Sequence, residues 1–74
     1  MNLVYIVEQV RPSGTQQIRK VYDTLEKAQS YIKSIPYIDE TYPGIYECRP
    51  SGLNEFQEAY GDLGRYAITT SVVE

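Results

Sequence analysis

One stretch near the start of the chain is apolar on both faces, and that limits the folds able to hold it. Leu3-Val4-Tyr5-Ile6-Val7, continuing to about Val10, is rich in β-branched and aromatic residues and reads as a strand. Alternate residues of a strand point to opposite sides. Val4, Ile6 and Val10 therefore face one way and Leu3, Tyr5 and Val7 the other. Such a strand belongs in the middle of a sheet, or under cover on both sides.

The chain has few means of supplying that cover. Its 74 residues predict a single domain spanning 1–74. A domain this small buries only about 60% of the surface its unfolded chain exposes. One cysteine, Cys48, excludes an internal disulfide, and without histidine no structural zinc site is expected. Idealised packing or a homodimer remains.

The other elements follow from local pattern. Arg11-Pro12-Ser13-Gly14-Thr15 is a turn, and Gln17 to Tyr22 a second strand, so the two strands form a hairpin. Strict alternation puts Ile18, Lys20 and Tyr22 on one side and Arg19 and Val21 on the other. Asp23 and Glu26 form a capping-box pattern, with Asp23 as the N-cap. Leu25, Ala28, Ile32 and Ile35 recur at helical spacing, and Pro36 stops the helix at about Ser34. Tyr37 to Gly44 reads as a loop and Ile45 to Arg49 as a short strand. Leu53, Phe56 and Tyr60 fit a short helix ending at a left-handed Gly61, although a short strand also suits Glu55 to Tyr60. Arg65 to Val73 is a last strand. The expected fold is α+β: a mostly antiparallel sheet of three to four strands, β-β-α-β-(α)-β, with one main helix on one face. One helix cannot cover both faces, so the short helix or a second subunit is expected on the far side.

Catalysis finds little support. The commonest general base near neutral pH, histidine, is absent, and no nucleophile elbow, phosphate loop or metal-ligand spacing occurs. Cys48 lacks an activating partner and reads as core. Asp39 and Glu40 adjoin, but calcium needs six to eight oxygens. The chain reads as no enzyme, with no cofactor and no metal. No segment is long and apolar enough to span a membrane, and no signal peptide is visible, so a cytoplasmic setting is expected.

The net charge of −3 is unevenly spread. Residues 1–37 carry five basic and three acidic side chains, giving +2, whereas residues 38–74 carry two basic and seven acidic, giving −5. Arg11, Arg19, Lys20, Lys27 and Lys33, with Tyr5 and Tyr22 for stacking, would serve weak nucleic-acid binding, but the acidic balance argues against it. The acids of the second half also allow phosphate mimicry aimed at a basic groove.

Eight tyrosines stand against one phenylalanine and no tryptophan. A buried phenol needs a hydrogen-bond partner, so an excess of tyrosine suits half-wet surfaces such as protein interfaces. Tyr5, Tyr22, Tyr31 and Tyr66 lie within regular elements and read as structural. The candidate partner-binding residues are Tyr37, Asp39, Glu40, Tyr42, Tyr46, Glu47, Glu55, Glu58, Tyr60 and Asp62, where rings supply area and carboxylates steer a basic partner. Structural support of the small core is the competing role for these tyrosines. A homo-oligomer binding a small molecule or nucleotide through tyrosine with Arg19, Lys20 or Arg65 is the second functional expectation.

VYIVE (Val4 to Glu8), TLEKAQSYI (Thr24 to Ile32) and YPGIYE (Tyr42 to Glu47) together resemble small uncharacterised proteins of phages and their bacterial hosts. The resemblance covers about residues 3–48; the segment from Pro50 to Glu74 departs from it. It implies a compact accessory protein, located in the host cytoplasm if phage-encoded, that binds and blocks a host defence or regulatory protein.

Overall fold

The expected hairpin is formed by β1 (Asn2–Val10) and β2 (Gln16–Tyr22). The computed structural model describes residues 2–73. The hairpin turn closes with Gly14 N donating to Arg11 O at 2.8 Å and Arg11 N to Thr15 O at 2.9 Å. Strict alternation fails along β2. A bulge leaves Arg19 without a partner, so Ile18 opposes Glu8 and Val21 opposes Ile6 on one face, while Tyr22 opposes Tyr5 on the other.

Helix α1 (Leu25–Lys33) is capped one residue later than the sequence suggested. Thr24 Oγ1 accepts from Lys27 N at 3.3 Å, and Asp23 instead pairs with Lys27 Nζ at 2.9 Å. Ala28, Ile32 and Ile35 are buried as their spacing predicts, but Leu25 is exposed. After Pro36 the backbone passes through a left-handed Tyr37 (φ 61°) and turns into a strand absent from the sequence reading. This is β3 (Ile38–Tyr42), paired with β4 (Ile45–Cys48) across a tight Pro43-Gly44 turn in which Gly44 has φ 80°.

Helix α2 (Leu53–Ala59) runs directly into a 3-10 turn, Tyr60–Asp62, so Gly61 is no left-handed cap. The last strand, β5 (Gly64–Val73), inserts between the two hairpins. The sheet order is β2-β1-β5-β4-β3, and every pairing is antiparallel. The α+β class holds, with five strands and two helices in place of three to four strands and one main helix.

Both helices pack on the same side of this sheet. The core joins Val7, Tyr46, Cys48 and Tyr66 from the strands to Ala28 and Ile32 of α1 and Ala59 of α2. Tyr22 and Tyr31 add a ring contact with centroids 6.0 Å apart. The short helix therefore does not cover the far side, where Ile18 and Val21 are 62% and 54% exposed.

Candidate protein-contact surfaces

The ten candidate residues fall into two groups on opposite sides of the sheet. Tyr37, Glu55, Glu58, Tyr60 and Asp62 belong to the helical side. Register places Asp39, Tyr42 and Glu47 on the open side, through the pairs Asp39–Glu47, Tyr42–Ile45 and Glu47–Arg65. Glu40 and Tyr46 oppose each other on the helical face.

Tyr46 is 3% exposed and belongs to the core, which removes its ring from contact with a partner. Burial, with the nearby Glu40 charge, raises its phenol pKa above the ordinary value. Glu40 Oε2 also accepts from Gly44 N at 3.3 Å and so braces the β3–β4 turn. Tyr42, by contrast, is 73% exposed. Glu47 is held by Arg49, with Nη2 at 2.8 Å, and by Arg65, with Nε at 3.3 Å. The Arg49 hydrogen bond and the two guanidinium charges hold its carboxyl below the usual carboxylate range.

On the helical side the side chains are more ordered than a loop surface would be. Tyr37 Oη donates to Glu58 Oε2 at 2.9 Å, tying the start of β3 to α2. That carboxylate raises the phenol pKa. Glu55 Oε2 accepts from both Ser51 N at 2.8 Å and Ser51 Oγ at 2.6 Å, which lowers its carboxyl pKa and fixes the front of α2. Asp62 Oδ1 lies 3.6 Å from Arg19 Nη2.

Of the apolar side chains between these acids, the sequence marks Tyr60 as a contact candidate and Leu53 and Phe56 only as positions that fit a helix. Leu53, Phe56 and Tyr60 stand at 75%, 42% and 66% exposure, while Ala59 alone among the α2 residues is buried. Leu53, Phe56 and Tyr60 are spaced i, i+3 and i+7, so they share one face. Phe56 and Tyr60 meet edge to face with centroids 5.9 Å apart. Beside them a notch of 310 Å³ opens between α2 and the β1–β2 turn, lined by Arg11, Pro12, Ser13, Phe56, Tyr60 and Leu63.

The basic residues do not gather into a free stripe. Arg19 donates to Gln9 Oε1 at 2.8 Å and faces Asp62; Lys27 is paired with Asp23. A cleft of 480 Å³ that shares Arg11, Pro12 and Leu63 with that notch brings Arg11 and Arg65 together, but Glu47 lines it as well and Arg19 does not. Among the described residues no group of three or more His, Cys, Asp or Glu side chains is placed to hold a metal, and no helix is long and apolar enough to cross a membrane. No protein-family model matches the chain, nor does any curated protein or solved structure.

Proposed function

We propose that this chain is a stoichiometric protein-binding protein whose contact surface is centred on α2. The observation that carries the reading is the exposed stripe of Leu53, Phe56 and Tyr60, with acids at Glu55, Glu58 and Asp62 and no basic residue between 53 and 62. An amphipathic helix of this kind lays its apolar anchors into a groove of another protein. The partner presents an apolar groove with lysine or arginine on its rim. Burying what is still exposed of Leu53 contributes about 1.5–2 kcal/mol, and of Phe56, 42% exposed, about 1 kcal/mol. The carboxylates steer the encounter and add charge-assisted hydrogen bonds. Tyr37 holds Glu58 in place before binding, which reduces the ordering cost.

Action follows from occupancy. A protein that fills a groove keeps that groove's natural ligand out, so the chain works as an inhibitor of a host defence or regulatory protein, in line with the phage-type resemblance. The test is recovery of a partner from bacterial lysate, then titration of that purified partner with the wild-type chain, Phe56→Ser and Glu58→Lys. Expected are one-to-one binding, loss of at least tenfold in affinity with Phe56→Ser, and weaker binding with Glu58→Lys that no longer falls steeply with salt. Equal affinity of all three proteins overturns the reading.

A further inference from the structure

From the uncovered side of the sheet we infer that the chain forms a two-fold homodimer by packing that face against a second copy. Register fixes what lies there. One row crosses all five strands as Ile18, Glu8, Ala67, Ile45 and Tyr42. The next rows toward the start of β1 hold Val21, Ile6 and Thr69, then Val4 and Ser71. On the other side lie Gln16, Val10, Arg65, Glu47 and Asp39. Val4, Ile6, Ile18 and Val21 make the β1–β2 half of this face apolar except for Glu8, and no helix of the chain reaches it.

The two central strands differ in size along it. β1 presents the larger Val4, Ile6 and Glu8, whereas β5 presents Ser71, Thr69 and Ala67 directly opposite. A two-fold axis running along the sheet between β1 and β5 exchanges these columns. Large then meets small: Val4 lies over Ser71 of the second copy and Ile6 over its Thr69. The same rotation places Ile18 of β2 over Ile45 of β4 in the second copy. It also answers the one charge in the apolar row. Glu8 makes no ion pair among the described residues and stands one row from its own Arg65; the rotation sets it over Ala67 of the second copy and adds that copy's Arg65, also one row away. Arg65 pairs with Glu47 at 3.3 Å and still keeps its side chain 67% exposed. The twist of each sheet turns the strand sets about 30° apart, so these matches hold best near the axis, where Ile6, Glu8, Ala67 and Thr69 sit.

The area fits a weak dimer. At about 4.8 Å between strands and about 6.8 Å between same-face neighbours, the strands that find a counterpart, β1 on β5 and β2 on β4, cover roughly 400 Å² per copy, and β3 lies outside the overlap. Two copies give roughly 800 Å², the size of a weak, reversible interface. A second copy supplies the match of β1 to β5 and of β2 to β4 by symmetry. The α2 surface points away from the interface, so dimer formation and partner capture are read separately.

Sedimentation or native mass spectrometry of the whole chain tests the inference. The wild-type chain is expected at twice its 8.5 kDa mass. Ile18→Glu, at an exposed position, is expected at the single mass with an unchanged circular dichroism spectrum. Glu8→Arg and Arg65→Glu are each expected to weaken the dimer at least tenfold, and the double exchange to restore it. A wild-type chain that stays monomeric at millimolar concentration overturns the inference. So does a dimer indifferent to Ile18→Glu, and a double exchange that fails to restore association overturns the two-fold alignment.

Discussion

The carboxamide of Gln9 is fully buried, and Arg19 Nη1 donates to its Oε1 at 2.8 Å. Its other end is used as well: Nε2 donates to Leu63 O at 2.7 Å, so one side chain links β1, the β2 bulge and the start of β5. Gln9→Leu keeps the volume but strands the Leu63 carbonyl and removes an acceptor from Arg19. A loss of about 1–3 kcal/mol in unfolding free energy is expected by urea titration. A change within error would show that water replaces both contacts.

Gly64 opens β5 at φ 116°, and a Cβ there would collide with the carbonyl oxygen of Val10. Gly14 also has positive φ (91°) but stands in open space. Gly14→Ala therefore carries conformational strain alone, about 1–3 kcal/mol. Gly64→Ala adds a backbone clash and is expected to lower the melting temperature further than Gly14→Ala. Equal melting temperatures would contradict the close approach of β1 and β5 at this point.

The lowered carboxyl pKa of Glu47 has a definite pH signature. Its folded-state pKa is below the unfolded value, so its stabilisation is present at neutral pH and is lost as pH falls through the folded value. Glu47→Gln removes the charge at every pH. The stability difference between wild type and Glu47→Gln should be full at pH 7 and close below the ordinary carboxylate range, about pH 4. Urea midpoints across that range check it; a gap independent of pH would point to packing rather than charge.

Cys48 is 7% exposed, its thiol donates to Pro36 O at 3.3 Å, and burial raises its pKa. Thiolate, the reactive form, is therefore scarce at neutral pH. The native chain should react with a disulfide reagent at least a hundredfold more slowly than the urea-unfolded chain. Rapid native labelling would place the sulfur at the surface.

Much of this architecture was legible in the residues, and the gaps have local causes. Hydrophobic spacing located α1 because Ala28, Ile32 and Ile35 meet the sheet as a stripe must. β3 was hidden because Asp39, Glu40 and Thr41 carry little strand propensity, yet an edge position lets such side chains stay wet. The Pro43-Gly44 signature that closes the hairpin was visible but was assigned to a longer loop. The bulge at Arg19 has no signal in single-sequence alternation, so the faces of β2 were mixed. At the candidate surface the acids and Tyr60 stand out in the sequence, whereas Leu53 and Phe56 mark only a helix. Spacing shows that Leu53, Phe56 and Tyr60 share a side and not whether that side looks inward; it is the small Ala59 that α2 contributes to the buried core. The need for cover on both faces of β1 was the deeper signal, and the uncovered Ile18 and Val21 leave it standing.

The insertion of β5 between β1 and β4 also governs how the molecule comes into being. Each hairpin closes locally, over residues 2–22 and 38–48, and can form within microseconds. In the sheet the two hairpins are joined only through β5, the last of the five strands to be synthesised, which pairs Asn2 with Val73. High contact order of this kind slows the search, toward the millisecond-to-second range of sheet-rich domains. Until β5 arrives, the inner edges of both hairpins lie bare, and a ribosome-bound or stalled chain is a pair of sticky half-sheets.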